Sequence, residues 1–294
     1  MKVTRAVLPF LPLCQRLLPD KLPGRLADLS LALLKATALE IAILAGHLLL
    51  YPSGIIQERR SPMPPLPSPD DAGTPQLPTE AKPPVVLLHG FIDNRSVFVM
   101  LRRSLAQHGR QQIESLNYSP LTCDIRTAAE LLARHIEEIC ERTGKQQVDI
   151  VGHSLGGLIA RYYVQRLGGD LRVRTLVTLG TPHSGTRVVP LANAHPIVRQ
   201  MRPGSQLLEE LTRPAPGCRT HFVSFWSDLD HLMDPLETAC IDHPDLSVQN
   251  VRVSGIGHLA LPVHPAVATG IRQVLDTART ATETDAHVGG LTVA

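Results

Sequence analysis

From Pro84 onward, short apolar runs alternate with stretches of helical period. Val85–Leu88, Gln112–Asn117, Val148–Val151, Val173–Leu179, Phe222–Phe225 and Val248–Val253 read as strands. Val97–Gln107, Ile125–Arg142, the segment after Ser154, and Val263–Ala278 read as helices. Of these, Ile125–Arg142 repeats most strongly at 3.6 residues, through Ala128, Leu131, Leu132, His135, Ile136 and Ile139, and stops before Gly144. Such alternation predicts an α/β architecture: a mostly parallel central sheet with helices on both faces. Sites in sheets of this kind lie at the carboxyl ends of the strands.

Upstream the pattern changes twice. Residues 26–51 are mostly Leu, Ala and Ile, and at about 1.5 Å per residue they are long enough to cross a bilayer core of ~30 Å. Lys35, Glu40 and His47 interrupt the run. A helical projection puts Glu40 and His47 on one face, with Thr37 near it, whereas Lys35 points elsewhere. The leading expectation is a transmembrane anchor at 26–51. An amphipathic helix lying on a membrane or docked on the catalytic domain fits the same stripe, as does an ordinary buried helix. The basic segment before it (Lys2, Arg5, Arg16, Lys21 and Arg25 against Asp20) favours an N-terminus in the cytoplasm and the rest of the chain outside. Arg59 and Arg60, beyond the run, count against that orientation. Residues 61–84 then hold nine prolines and almost no apolar period, the composition of an extended linker. The expected organisation is a basic segment and hydrophobic helix at 1–60, a Pro-rich linker at 61–83 and a catalytic domain at 84–280. Within the domain, an insertion at about 187–218 is expected, and a flexible tail at 281–294 follows it.

Composition narrows the chemistry. Net charge is +2, with 29 basic residues spread against 27 acidic, which leaves no electrostatic footprint for nucleic acid. The five cysteines (Cys14, Cys123, Cys140, Cys218, Cys240) have no zinc spacing, H-E-x-x-H does not occur, and no cofactor motif is present. Their odd count and wide spacing suggest mostly free, buried thiols, and a Cys218–Cys240 bridge is open if the domain lies outside the cytoplasm.

The chemistry-bearing stretch is Val148 to Arg161, where an apolar strand runs straight into Gly152-His153-Ser154-Leu155-Gly156 and then into a helical pattern. G-x-S-x-G in that strand–turn–helix context marks Ser154 as a nucleophile on a tight, strained turn. Gly152 and Gly156 are needed because a Cβ at either place would crowd the neighbouring strand or helix. Serine needs a base, and the base needs an orienting group. His258, in the Gly257-containing turn after the last predicted strand, is the candidate base, ahead of His264, His243 and His221. Among the aspartates after Phe222–Trp226, Asp230 is preferred as the acid over Asp228 and Asp234, because Leu232, Met233 and Pro235 follow it in register. Donors for an oxyanion are expected from the backbone N–H groups of Leu155 and Phe91. His89 reads as a residue that holds its loop.

Together His89-Gly90-Phe91, the Ser154 motif, Gly180-Thr181-Pro182-His183-Ser184-Gly185-Thr186, the Ser227–Asp230 segment and Gly257-His258 resemble the bacterial lipases and esterases of the α/β-hydrolase superfamily. The resemblance covers about residues 84–277. It implies an α/β-hydrolase fold, a Ser154–Asp230–His258 triad, oxyanion donors at Phe91 and Leu155, and a lipid or acyl-ester substrate. It also implies that residues 187–218 cap the site, with Val188, Val189, Leu191, Ile197, Val198, Met201, Leu207, Leu208 and Leu211 either binding an acyl chain or packing on the sheet. Residues 1–83 depart from the small secreted members. An acyltransferase or thioesterase would use the same residues, and a membrane-tethered interaction protein with a vestigial site is the alternative of another class.

Overall fold

The computed structural model of the chain describes residues 24–55, 82–119, 124–188 and 195–288. Six strands form one parallel sheet in the order β2-β1-β3-β4-β5-β6. They are β1 (Val85–Leu88), β2 (Ile113–Leu116), β3 (Val148–His153), β4 (Val173–Leu179), β5 (His221–Ser227) and β6 (Ser247–Val253). The helices are α1 (Gly24–Ile55), α2 (Val99–Gln107), α3 (Ile125–Thr143), α4 (Leu155–Arg166), α5 (Pro196–Gln200), α6 (Gln206–Thr212) and α7 (Pro265–Val288). Each expected strand is present, displaced at its ends by two residues at most. A short 3-10 turn, Arg95–Phe98, takes up the start expected for α2.

The continuous apolar runs have their cause in the two covered faces. Val86, Leu88, Val148, Ile150, Leu176 and Phe222 pack with α3, α4 and the short helices α5 and α6. Val85, Leu87, Val151, Val177, Leu179, Val223 and Phe225 pack on the opposite face with α2 and α7. Only a strand buried on both sides can be apolar at odd and even positions alike. The boundaries of α3 are equally local. The Asp124 carboxylate caps it by accepting from the Thr127 N–H at 2.7 Å, and Gly144 closes it in the left-handed conformation at φ 68°.

Two expectations change. The first concerns residues 26–51, which lie within α1. Among the described residues no helix is long and apolar enough to cross a membrane, so the transmembrane reading is not supported. The polar stripe is instead turned onto the catalytic domain. The Glu40 carboxylate accepts from the N–H groups of Leu259 and Ala260, and His47 lies 3.3 Å from Asp93. The Asn94 and Asn117 amides donate to the carbonyls of Tyr51 and Gly54. Ionisable groups that would be costly in lipid have protein partners here. Second, α7 runs to Val288, past the helix end expected at Ala278. Cys140, Cys218 and Cys240 are free thiols, in keeping with the odd count and wide spacing, and the Cys218–Cys240 bridge left open is not formed. The basic segment at 1–23, linker residues 61–81, Cys14, Cys123 and residues 289–294 lie outside the described residues.

At the amino end of the sheet, the fully buried Asp149 of β3 accepts from Arg110 at 3.0 Å and from Arg174 at 3.0 and 2.7 Å. Both guanidiniums also donate to the Leu275 carbonyl of α7 at 2.9 Å. Removing the carboxylate strands two cations, and breaking a buried pair costs about 3–5 kcal/mol. Asp149→Ala is therefore expected to lower the urea midpoint by a loss of that size. An unfolding curve within about 1 kcal/mol of the wild type would show that this network does not hold α7 to the sheet.

Candidate active site

The turn between β3 and α4 places Ser154. Its backbone sits at φ 52°, ψ −119°, and among the described residues it is the one non-glycine with positive φ. Strain of this kind persists only where the surroundings over-determine it. Here the Ser154 N–H donates to Leu179 O at 2.9 Å, and the Thr181 hydroxyl donates to Ser154 O at 2.9 Å. A Cβ on Gly152 would stand 2.6 Å from the Gly157 nitrogen, and one on Gly156 would collide with the Leu88 carbonyl. Both glycines are thus required by the close approach of α4 to β3 and β1. Leu155 is the first residue of α4, among the helix N–H groups that have no partner within the helix.

The residues singled out in the sequence converge. Asp230 lies in the loop after β5, fully buried, and one of its oxygens accepts from the Leu232 N–H at 3.0 Å. Its other oxygen is 2.7 Å from Nδ1 of His258, which is carried by the loop after β6. Burial alone would push the His258 imidazole down. The Asp230 carboxylate, helped by Glu40 and Asp93, outweighs it, and the pKa is raised from the ordinary value of 6.5. Ser154, His258, Phe91 and Gly90 line one cavity of about 460 Å³. Asp228 does not join them; it accepts from Arg252 at 2.8 Å and from the Gly255 N–H at 3.2 Å, tying the end of β6. His89 holds its loop: it stacks on Tyr118 at 4.3 Å and its Nδ1 is 2.9 Å from Gly90 O, while the Tyr118 hydroxyl donates to the His89 carbonyl.

The rest of the cavity wall is largely apolar, with Phe91, Ile92, Val188, Met201, Leu232 and Met233. The 187–218 insertion divides between its two readings. Val188 and Met201 reach the cavity, whereas Ile197, Leu207, Leu208 and Leu211 belong to the core. Val189 and Leu191 lie outside the described residues.

Two residues of the site were not read from the sequence. Asp93 lines the cavity and lies 3.4 Å from Nδ1 of His153, whose Nε2 is 3.3 Å from the His258 carbonyl. Burial pushes the Asp93 carboxyl up, but His153 and His47 outweigh it and hold it well below the usual carboxylate range. His153 stands inside the G-x-S-x-G motif, at the variable position, where the pattern attaches no role to it. Nothing in the local sequence marks Asp93.

Residues 83–213 match the family described as the α/β hydrolase fold. The chain has the α/β-hydrolase fold. Similar proteins include a triacylglycerol lipase of Pseudarthrobacter phenanthrenivorans, 31% identical over 35% of this chain and 34% of the relative. Another is a triacylglycerol lipase of Vibrio cholerae, 30% identical over 45% of this chain and 41% of the relative. The matched stretch thus spans about a third to two fifths of these relatives. Among solved structures, the mature Bacillus licheniformis lipase BlEst2 superposes with a TM-score of 0.57 at 17% identity, over 67% of this chain and 94% of that one. Aspergillus fumigatus lipase B gives a TM-score of 0.57 at 16% identity, over 65% and 51%. At these identities the superpositions speak for the α/β-hydrolase fold alone.

Asp230 sets the charge state of His258, and the sign follows. A pKa raised by a carboxylate falls when the carboxylate becomes an amide. In a Ser154→Ala background, the His258 ring resonance is expected to titrate above 6.5 and to move to lower pH in Asp230→Asn. The linkage runs the same way: the pair stabilises the fold below the unfolded histidine value and loses that contribution as pH rises through the raised one. An unmoved His258 midpoint in Asp230→Asn would contradict the pairing.

Proposed function

We propose that this chain is a serine hydrolase of carboxylic esters, of the lipase or esterase kind, acting on acylglycerols or other lipid esters. The observation that carries the reading is the Asp230–His258 pair at 2.7 Å, with His258 lining the same apolar-walled cavity as the strained Ser154. The names of the relatives, triacylglycerol lipases, agree with it.

In this mechanism Ser154 Oγ attacks the ester carbonyl carbon. As the O–C bond forms, the Oγ proton passes to Nε2 of His258, and Asp230 at Nδ1 stabilises the imidazolium. The carbonyl oxygen becomes an oxyanion held by the N–H groups of Phe91 and Leu155, and each such donor is worth about 2.7–4 kcal/mol. Collapse breaks the bond to the alcohol, which leaves with the proton from His258. Water, deprotonated by the same imidazole, then cleaves the acyl-serine ester. The acyl chain lies along Phe91, Met201, Leu232 and Met233. A cavity of about 460 Å³ is within the usual ligand-pocket range of ~300–1,000 Å³.

The reading extends to a lipid surface. The face of α1 turned away from the domain carries Leu34, Ile41, Leu48 and Leu49, at 66%, 64%, 66% and 82% exposure. On its inner side the same helix touches Asp93 and Leu259 of the cavity wall, and Ile92, also in that wall, is 58% exposed. An apolar helix face beside an ester-binding cavity suits a helix lying in a lipid interface, where it replaces the membrane-spanning role first expected.

Ser154→Ala is expected to lower kcat on a p-nitrophenyl acyl ester by roughly 10⁴- to 10⁶-fold with the circular dichroism spectrum unchanged. A variant with full activity would remove Ser154 from the mechanism. For the surface, the full chain should co-sediment with phosphatidylcholine vesicles, and Ile41→Gln with Leu48→Gln should release it while a soluble short-chain ester is still hydrolysed. Equal co-sedimentation of the variant would assign the apolar face elsewhere.

A further inference from the structure

The inner face of α1 meets the loop that carries His258 from outside the strand–helix core. Both carboxylate oxygens of Glu40 are used: Oε2 accepts from the Leu259 N–H and Oε1 from the Ala260 N–H, each at 2.9 Å. These are the two peptide groups directly after His258. The residue directly before it, Gly257, packs against the same side chain, and a Cβ there would stand 2.5 Å from Glu40 Cδ. A second contact runs through His47, seven residues along α1. It lies 3.3 Å from Asp93, Asp93 lies 3.4 Å from His153, and His153 Nε2 is 3.3 Å from the carbonyl of His258 itself. The two peptide groups after the imidazole are therefore held from α1, and the glycine before it packs on the same Glu40 side chain; α1 lies outside the matched residues 83–213.

We propose that α1 is a strap on the catalytic base, and that Glu40 is a positioning residue that fixes the His258 loop through its backbone. The proposal rests on the reading of His258 as the base. A carboxylate taking two successive N–H groups makes two charge-assisted hydrogen bonds in one fixed geometry, which is what orienting a loop requires. Glu40 also acts on the imidazole by charge. The groups facing His258 are Asp230 from the loop after β5, Asp93 from the loop after β1, Glu40 from α1 and His153 from the end of β3, its ring centroid 4.8 Å away. Of these, the three carboxylates raise the imidazole pKa. Neutralising Glu40 accordingly lowers it, and the protonation step that limits activity in acid moves to lower pH.

The test compares wild type, Glu40→Gln, Glu40→Ala, Gly257→Ala and the Glu40→Ala/Gly257→Ala double variant on a soluble short-chain p-nitrophenyl ester. Glu40→Ala is expected to lose roughly 10- to 100-fold in kcat, the scale of a small misplacement of a catalytic group, with KM within about twofold. Gly257→Ala should lose kcat in the same way, because its new methyl group displaces Glu40. The double variant should be no worse than Glu40→Ala alone, since the side chain that the methyl meets is gone. In Glu40→Gln the acid limb of kcat/KM and the His258 ring titration should both shift to lower pH. Folded Glu40 variants with wild-type kcat and acid limb would overturn the proposal, and so would a loss confined to KM or losses that multiply in the double variant. If Glu40→Ala fails to fold, Gly257→Ala still decides, because it leaves α1 and its polar stripe intact: unchanged kcat there is contradiction enough. An imidazole that titrates as expected in a protein with no ester hydrolysis would instead mark failure of the base assignment beneath the proposal.

Discussion

The tight turn at Ser154 is the constraint on which the rest of the molecule depends. A non-glycine residue at φ 52° keeps that conformation only while its neighbours hold it, and strain of this order costs about 1–3 kcal/mol. The holding is done by packing. Gly152 and Gly156 let α4 come against β3 and β1 with no room for a side chain, and the Ser154 peptide is tied to β4 and to Thr181. The buried parallel strands on either side supply the rigidity. Their two apolar faces are covered by separate helix layers, and every loop that contributes a site residue leaves the sheet at a strand's carboxyl end.

Electrostatics then divides the site into two kinds of group. Asp230, helped by Glu40 and Asp93, holds His258 above the ordinary histidine value against the effect of burial. Asp93 stays ionised deep in the wall because His47 and His153 flank it. His183 and His153 are driven the other way, chiefly by burial, with Arg161 adding to the effect at His183 and His258 adding to it at His153. The protonated form is thus favoured at His258 and disfavoured at His153, relative to an ordinary imidazole. The difference lies in the partners: His258 has a carboxylate at 2.7 Å, and His153 has one at 3.4 Å.

Much of this was legible in the sequence, for identifiable reasons. Ser154 could be found because its glycines, strand and helix are contiguous, and steric need writes itself into a short motif. Asp230 and His258 could be found because the order of strands puts them after β5 and β6. The helical period of residues 26–51 placed Glu40 and His47 on one face, but periodicity reports only which residues share a face, and nothing about what covers it. The same stripe suits a membrane-spanning helix, a membrane surface or a protein, and here it meets Asp93, Leu259 and Ala260 from far along the chain. Asp93 and His153 had no readable role for a similar reason: their importance comes from contacts across the sheet edge. The extra turns of α7 beyond Ala278 follow a stretch rich in Thr and Ala without a stop signal, where the expected end had no cap to mark it.

The central claim is that the Ser154 hydroxyl is a nucleophile activated by a histidine across an apolar cavity. Covalent labelling with a fluorophosphonate, followed by peptide mass spectrometry, tests it most directly. The account predicts one phosphonylated residue, Ser154, with labelling abolished in Ser154→Ala and strongly slowed in His258→Ala. A wild-type protein that takes no label, or takes it on another residue, would contradict the account.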